Sequence, residues 1–325
     1  MKVIVTGGAG FIGSNLVGAL VERGDNVTVI DNFSTGHREF LEQPLSSGRL
    51  IVEALDLLDD SPRLASVFEG ADAVVHLAAN ADVRFGLDHP RRDLDQNVIA
   101  THNVLEAVRQ SGVPELVFSS TGSVYGETEV IPTPEDAPFP RQTSLYGASK
   151  AAAEGFIAAY AEGFGLRATV YRFVSILGAA YTHGHVIDFV AQLTDHPDHL
   201  HILGDGSQRK SYLEVGDCIA AISGRLGHAA GFEVFNLGVD DYCTVNDSAG
   251  WISERLGVEP KRTYGGGERG WVGDNPFIFL DTSKIRATGW ESRWSIRDAV
   301  ERTVDFLVAH PGIVAGVERG PESDR

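Results

Sequence analysis

A glycine-rich turn between two short apolar runs constrains the fold of the first 31 residues. The strand-like runs are Lys2–Thr6 and Asn26–Ile30, and glycines recur every third residue after the first run at Gly7, Gly10 and Gly13. Only glycine allows so tight a turn, leaves the backbone open to a pyrophosphate, and leads into a helix whose first N–H groups face the phosphate charge. The second run ends at Asp31, where a carboxylate would accept both ribose hydroxyls and repel a 2′-phosphate. The pattern predicts a dinucleotide-binding βαβ unit and favours NAD over NADP.

The composition is that of a globular protein with a large core. The chain has 325 residues, 43% of them hydrophobic, enough for one large domain or two lobes that share a cleft. Its net charge of -18 would repel a polyanion, so we expect no nucleic-acid partner. Cys218 and Cys243 lack a metal-binding spacing, and we expect no metal site. Because Met1 leads straight into the first strand and no apolar run is long enough to span a membrane, we expect a cytoplasmic protein with no membrane partner.

Strand-like and helix-like runs alternate as far as Arg172. Because successive parallel strands need crossover connections, this alternation predicts an α/β fold, a doubly wound parallel sheet of the Rossmann type with its ligand at the carboxyl ends of the strands. The proline-rich segment 131–141 is predicted to be a lid-like loop. We predict a dinucleotide-binding domain at residues 1–172, to which a segment near 213–238 returns. A smaller substrate lobe is predicted at 173–310 and a flexible tail at 311–325.

A tyrosine and a lysine share one face near the start of the predicted helix Ser144–Glu162. Tyr146 and Lys150 are four residues apart, so their side chains are neighbours on a helix. A phenol titrates near pH ~10 in water. A nearby ammonium and the positive charge of a bound nicotinamide both favour the phenolate, which predicts a lowered pKa for Tyr146. Tyr146 is therefore the candidate general base that takes a proton from a substrate hydroxyl while a hydride leaves for the dinucleotide. Thr121, just past a predicted strand end, would share a hydrogen bond with the same substrate oxygen.

These motifs together resemble the extended short-chain dehydrogenase/reductase family. Within it, the chain is most similar to the NAD-dependent nucleotide-sugar epimerases of the UDP-glucose 4-epimerase type. The matching segments run through the chain in family order, at residues 6–13, 31–36, 76–79, 97–98, 119–126 and 146–150. As a set they are specific to the superfamily and less specific to one reaction.

The resemblance implies a role for each matching position. Tyr146 is the base, Lys150 also holds the nicotinamide ribose, and Thr121 assists. The first cofactor positions lie along the pyrophosphate, those at 31–36 surround the adenosine ribose, those at 56 and 57 flank the adenine, and those from 77 onward line the nicotinamide side. Besides the three glycines, Tyr146 and Lys150, the implied cofactor-binding residues are Phe11, Ile12, Asp31, Asn32, Ser34, Thr35, Gly36, Asp56, Leu57, Leu77, Ala78, Ala79, Asn97 and Ser119.

The residues after Thr121 bear on the reaction. Related dehydratases and decarboxylases carry acidic residues there, whereas this chain has Gly122 and Ser123. The resemblance therefore implies reversible oxidation alone, and hence 4-epimerisation of a UDP-hexose, with UDP-glucose and UDP-galactose as the leading pair. Three alternatives stay open: a 4-epimerase of UDP-glucuronate or UDP-N-acetylhexosamine, a nucleotide-sugar dehydratase or reductase, and a non-catalytic NAD-sensing regulator.

The implied substrate contacts depart from the family pattern at several positions. Lys210 replaces an arginine, so contact with the diphosphate by Lys210 or the adjacent Arg209 is looser. Ser175 stands where the family has asparagine, and the space it leaves suits a different hexose or a carboxylate, which Arg84 or His185 could meet. The implied substrate-binding residues are Thr121, Ser123, Tyr146, Ser175, His185, Val186, Lys210, Arg269 and Asp274.

The family resemblance also implies a homodimer. Alanines make the Tyr146 helix small on more than one face, which suits close helix packing. The implied interface pairs this helix with the predicted Asn97 helix, Arg92–Gln110, across a two-fold axis. Internal packing against the sheet is the alternative.

Overall fold

The computed structural model describes residues 1–81, 88–138, 141–270, 275 and 277–316. Two 3-10 turns lie at Arg38–Leu41 and Gly122–Tyr125, and a π-helical segment lies at Leu94–Ile99. The strands are β1 Lys2–Thr6, β2 Asn26–Ile30, β3 Leu50–Glu53, β4 Ala73–His76, β5 Glu115–Thr121, β6 Arg167–Phe173, β7 Ser175–Leu177, β8 His199–Ile202, β9 Arg209–Lys210, β10 Tyr212–Glu214, β11 Phe232–Leu237, β12 Cys243–Thr244, β13 Lys261–Tyr264 and β14 Phe277–Ile278. The helices are α1 Phe11–Arg23, α2 Glu42–Leu45, α3 Ser61–Phe68, α4 Pro90–Asp93, α5 Ala100–Ser111, α6 Leu145–Phe164, α7 His185–Asp195, α8 Val215–Arg225, α9 Val245–Leu256, α10 Ser283–Arg286, α11 Ile296–Ala309 and α12 Pro311–Ala315.

Seven parallel strands form the main sheet, which confirms the predicted Rossmann fold class. Their order is β11-β6-β5-β4-β1-β2-β3. The middle residues of the central strands are apolar because helices cover both faces of the sheet. The chain leaves β1 toward β2 and later returns to the other side of β1 at β4, so a crevice opens at the carboxyl ends of these two strands.

The region after β6 adds small sheets beside this crevice. β7 pairs with β10, β8 pairs with β13, and β9 lies between β12 and β14. β11 leaves this region and joins the main sheet next to β6. Among the described residues, no helix is both long and apolar enough to cross a membrane.

Two helical predictions need correction. The run predicted as one helix, Arg92–Gln110, is broken into α4, the π-helical segment and α5. In the π-helical segment the backbone carbonyl of Asn97 accepts a hydrogen bond from the Thr101 hydroxyl at 2.7 Å, and such π turns recur at functional sites. The tail expected from residue 311 instead starts as α12, because proline suits a first helical position and Ile313 packs against the core. Residues 317–325 lie outside the described part of the chain.

Candidate active site

The glycine-rich turn connects β1 to α1, and the constraint that requires glycine differs among its three glycine positions. Gly7 has a φ of +69°, and a Cβ there would lie 2.6 Å from the backbone nitrogen of Ala78. A Cβ on Gly13 would lie 2.1 Å from the Gly7 carbonyl oxygen, so contacts inside the chain fix both positions. A Cβ on Gly10 would meet the Gly7 carbonyl oxygen at 3.3 Å, a much milder contact. Internal packing therefore does not require glycine at position 10, whereas close approach of a pyrophosphate to the backbone does.

Helix α1 begins directly after this turn. Its N-cap residue, Gly10, has no side chain to cap the helix, and its first turn carries no acidic residue. The first N–H groups and the positive end of the helix dipole are therefore available to an anion. Phe11 is buried and packs edge-on against the Tyr181 ring, so its contribution to a pyrophosphate site is its backbone.

Asp31 follows β2 and is buried beside the glycine-rich turn. Its carboxylate accepts hydrogen bonds from the backbone N–H groups of Ala9 at 2.9 Å and Phe33 at 2.8 Å. Each carboxylate oxygen keeps a second lone pair, so Asp31 retains acceptor capacity for ribose hydroxyls. The implied ribose residues Ser34 and Thr35 follow on the exposed side of this loop.

Asn32 and Asp56 also meet, as the implied adenosine site requires. Asn32 Nδ2 donates a hydrogen bond to Asp56 at 2.6 Å. Burial raises the pKa of Asp56, but the hydrogen bonds from Asn32 and from backbone N–H groups outweigh it, so the pKa lies below its usual value. The adjacent Leu57 is buried. The structure thus brings together the two loops that would flank an adenosine.

The segment implied to line the nicotinamide side is held against β1. Leu77 N–H donates to the Thr6 carbonyl at 3.1 Å, and Ala78 N–H donates to the Thr6 hydroxyl at 3.4 Å. Leu77, Ala78 and Ala79 are partly exposed, which leaves one side of this segment open. Ala78 is also the residue that the glycine-rich turn approaches most closely at Gly7.

His76, at the end of β4, is fully buried in a chain of hydrogen bonds. The Thr101 hydroxyl donates a hydrogen bond to the Asn97 carbonyl oxygen. The Thr101 oxygen therefore accepts a hydrogen bond from His76 Nε2 at 3.0 Å. His76 Nδ1 then accepts from the Thr6 hydroxyl at 2.7 Å. Burial lowers the pKa of His76 to about 3, so the imidazole is neutral. Its two hydrogen bonds connect β1, through Thr6, and β4 to Thr101 on α5.

Tyr146 and Lys150 lie on one face of α6 and contact the end of β5. Thr121 ends β5, and its hydroxyl acts on the phenol of Tyr146 to lower the pKa of that group. The ammonium of Lys150 donates to the Ser119 carbonyl oxygen at 2.9 Å. The side chains predicted to be catalytic therefore meet at the carboxyl edge of the sheet, beside the crevice.

Without the positive charge of a nicotinamide, the pKa of Tyr146 lies above its ordinary value. Burial raises the pKa of Tyr146 to about 12. The Thr121 hydroxyl lowers this pKa by a smaller amount, and the negative charge of Asp93 offsets part of that lowering. Burial also lowers the pKa of Lys150 to about 7, against the charges of Glu154 and Asp93. Loss of water around the phenol thus dominates, and the neighbouring ammonium is itself partly deprotonated near neutral pH.

Asn97 holds the start of α6, the helix that carries the candidate base. It is buried, its Nδ2 donates to the Ser149 hydroxyl at 2.9 Å, and its Oδ1 accepts from Asn80 N–H at 2.9 Å. Ser149 in turn donates to the Tyr146 backbone carbonyl at 2.8 Å. The implied cofactor residue Asn97 is therefore linked to the backbone of the candidate base.

Ser123 lies next to Thr121 in the 3-10 turn that follows β5. Its backbone N–H donates to the Thr121 hydroxyl oxygen at 3.1 Å. Between them, Gly122 leaves no room for a side chain, because a Cβ there would lie 2.9 Å from Ile278 Cγ2. The turn therefore presents two hydroxyl groups close to Tyr146.

The two neighbouring basic residues of β9 point to opposite faces, as strand geometry requires. Lys210 Nζ donates to the Asn275 carbonyl oxygen at 2.5 Å. Burial lowers the pKa of His185 to about 3, and the charge of Lys210 lowers it further. The guanidinium of Arg209 instead lies 3.8 Å over the Phe277 ring. Of the two, Lys210 is the better candidate for an anion in the cleft.

The remaining implied substrate residues are spread more widely. Ser175 is exposed on β7, and the side chain of Val186 is fully buried in the core, which leaves only its backbone for a ligand. Arg269 forms an ion pair with Glu127 at 2.7 Å. Asp274 and Arg84 lie outside the described residues.

Sequence reasoning missed a buried group beside the catalytic residues. Glu154 is 5% exposed and forms an ion pair with Arg172 at 2.6 Å. Its position, four residues after Lys150 and eight after Tyr146, repeats the helical spacing of the catalytic pair. That repeat is the signal that could have found it.

The family model for the NAD-dependent epimerase/dehydratase family matches residues 3–238. The chain belongs to that family. The chain is 36% identical to the UDP-glucose 4-epimerase of Corynebacterium glutamicum, over 95% of this chain and 96% of that protein. It is 39% identical to a UDP-galactose 4-epimerase of known structure, with a TM-score of 0.84 over 95% of this chain and 99% of that one. It is also 28% identical to MoeE5, solved in complex with UDP-glucuronic acid and NAD, with a TM-score of 0.83 over 95% and 99% of the two chains.

The comparisons confirm the family resemblance and the cofactor. The chain is a member of an NAD-dependent family, and the open backbone at Gly10, the uncapped start of α1 and the carboxylate of Asp31 fit NAD. Bound NAD supplies a hydride acceptor and donor. The relatives differ in the sugar nucleotide that their names give, so the family alone does not select the substrate.

Proposed function

We propose that this protein is a UDP-sugar 4-epimerase that interconverts UDP-glucose and UDP-galactose. The observation that carries the proposal is the contact of Lys150 with the Ser119 carbonyl at the end of β5, with Tyr146 one helical turn before Lys150 on α6 and Thr121 at the end of the same strand. The residues after Thr121 are glycine and serine, so this turn offers no carboxyl group to expel water from the sugar. The relatives named UDP-glucose and UDP-galactose 4-epimerase, at 36% and 39% identity, support the same substrate pair.

In the proposed reaction, this chain moves one proton at the sugar O4. The phenolate of Tyr146 takes the proton from the 4-hydroxyl while the C4 hydride leaves for the cofactor, which yields a 4-keto sugar. Thr121 holds the same oxygen, and Lys150 keeps positive charge near the phenolate. The keto sugar turns over about its diphosphate, which Lys210 and Arg269 anchor. Tyr146 then returns its proton to the oxygen as the hydride returns to the opposite face of C4, so nothing is consumed.

A panel of UDP-sugars tests this function. Purified protein is incubated separately with UDP-glucose, UDP-glucuronate and UDP-N-acetylglucosamine, and the products are followed by proton NMR and mass spectrometry. We expect UDP-glucose to equilibrate with UDP-galactose at unchanged mass. Faster conversion of either other sugar would replace the proposed substrate, and loss of 18 mass units, the mass of water, would indicate a dehydratase.

We also propose that the protein forms a homodimer through α6 and the π-helical segment Leu94–Ile99, which contains Asn97. Large apolar side chains on these two elements are between 43% and 61% exposed, and a cluster of such side chains is unfavourable on a surface that meets only water. They are Leu94, Ile99, Leu145, Phe156 and Phe164. Light scattering after size-exclusion chromatography should give twice the chain mass of 34.9 kDa. Phe156→Asp should give a monomer, whereas Phe232→Asp, on the edge strand β11, should not. A monomeric parent protein would contradict the proposal.

A further inference from the structure

The buried face of α6 is attached to β5 at three successive helical turns. Tyr146 lies close enough to Thr121 for that hydroxyl to lower its pKa, and Lys150 donates to the Ser119 carbonyl at 2.9 Å. One turn further on, Glu154 accepts a hydrogen bond from the Ser120 hydroxyl. Three consecutive strand residues thus contact three side chains spaced four residues apart on the helix.

Glu154 is also held from the neighbouring strand. Arg172 is the register partner of Ser120 in the β5–β6 pair, and its Nη2 approaches Glu154 Oε2 at 2.6 Å. Its Nε adds contacts to both carboxylate oxygens at 3.1 and 3.2 Å. Glu154 and Arg172 are 5% and 4% exposed, so the pair is screened from solvent.

Arg172 extends this attachment to the turn that carries Ser123. Its Nη1 donates to the Tyr125 hydroxyl at 2.7 Å and to the Glu135 carbonyl at 2.9 Å. Tyr125 ends the Gly122–Tyr125 turn, and its hydroxyl donates to Asn236 at 2.8 Å. The carboxylate of Glu154 is therefore the point where the catalytic helix, two strands and the Ser123 turn are tied together.

We propose that Glu154 is a positioning residue that fixes α6 along β5, so that Tyr146 and Lys150 stay at the end of that strand. Its carboxylate also lies one helical turn from Lys150 and favours the ammonium. This inference rests on the proposed function for its catalytic consequence. The groups that face Lys150 are Asp93 from α4, His76 from β4, and Tyr146 and Glu154 from its own helix. His76 is neutral, so the two carboxylates are the groups that favour the ammonium of Lys150.

Glu154→Gln tests both parts, with Glu162→Gln on the exposed side of the same helix as the matched control. We expect Glu154→Gln to lower kcat by about tenfold or more with little change in KM, because the base is misplaced while the substrate contacts remain. We also expect the basic limb of the kcat–pH profile to move by about half a pH unit or more to lower pH, because Lys150 loses a favourable charge. A Glu154→Gln protein that matches the control in kcat and pH profile would overturn the proposal.

Ser120→Ala keeps the proposal testable if Glu154→Gln does not fold. It removes the hydroxyl contact to Glu154 and leaves every charge in place, so we expect kcat to fall by about three- to tenfold with an unchanged pH profile. An unchanged kcat would overturn the positioning role. NAD affinity measured by calorimetry from pH 6 to 10 separates this inference from the proposed function, because it needs no turnover. In that measurement the fall in affinity at high pH should begin at lower pH in Glu154→Gln than in Glu162→Gln, and coincident curves would overturn the role in holding the Lys150 charge.

Discussion

The carboxylate of Asp31 accepts a hydrogen bond from the Ala9 backbone N–H at 2.9 Å, so one side chain both closes the glycine-rich turn and faces the adenosine site. Asp31→Ala should therefore weaken NAD binding and lower the free energy of unfolding by about 1–3 kcal/mol, since the buried N–H groups of Ala9 and Phe33 lose their acceptor. Calorimetry with NAD and urea unfolding measure the two effects. Asp31→Asn, which keeps one acceptor oxygen, should lose less stability. Unchanged NAD affinity in Asp31→Ala would remove this residue from the cofactor site.

Tyr146→Phe removes the candidate base and keeps the ring. We expect turnover of UDP-glucose to fall by about 10²–10⁴-fold, the usual contribution of a general base, with NAD still bound. A coupled assay for UDP-galactose and the NAD content of the purified variant check this. Activity equal to that of the parent protein would show that Tyr146 is not the base.

Lys150 should lower the stability of the protein below neutral pH. Burial lowers its pKa in the folded protein to about 7, while the unfolded chain titrates near ~10.5, so the cost of burying the charge is fully present below pH ~7 and disappears as the pH rises toward ~10.5. Without cofactor, Lys150→Met should therefore unfold at a higher urea concentration than the parent at pH 6.5, and the difference should shrink by pH 10. Activity should be lost at both pH values. A variant that is less stable than the parent at pH 6.5 would contradict this reasoning.

Two histidines whose pKa values are lowered in the fold should make the protein sensitive to mild acid. Burial lowers the pKa of His76 and of His185 to about 3, whereas an unfolded histidine titrates near ~6.5. As the pH falls from ~6.5 toward 3, the unfolded chain binds protons that the folded chain does not, so each histidine lowers the free energy of unfolding by about 1.4 kcal/mol per pH unit. Urea unfolding between pH 6.5 and 5 measures how steeply the free energy of unfolding falls as the pH is lowered. His185→Asn should remove about half of the part of this slope that the two histidines contribute. An unchanged slope would place His185 in solvent.

The ion pair between Arg269 and Glu127 predicts competition with the substrate diphosphate. Both side chains are about half exposed, at 44% and 46%, so the pair is worth about 0–1 kcal/mol. Glu127→Gln should release Arg269 for the diphosphate and lower KM for UDP-glucose by roughly two- to fivefold. Glu129→Gln removes the same charge from the same exposed loop and should leave KM unchanged. A raised KM in Glu127→Gln would mean that Glu127 supports the substrate site instead.

The local sequence determined the parts of this protein that depend on neighbours along the chain. The turn from Gly7 to Gly13, the strand that ends before Asp31 and the one-turn spacing of Tyr146 and Lys150 each follow from backbone sterics or helical periodicity. Those features were enough to predict the parallel sheet, the family and NAD.

Only the tertiary structure decided the energies and the partners of those side chains. The pKa of Tyr146 depends on how completely packing removes water and on the distant carboxylate of Asp93, neither of which is visible in a four-residue spacing. Likewise, the pairing of β5 with β6 places Arg172 beside Ser120, and that register gives Glu154 its partner. Burial and long-range charge arise only when segments far apart in sequence are packed together, so they had to be read from the fold.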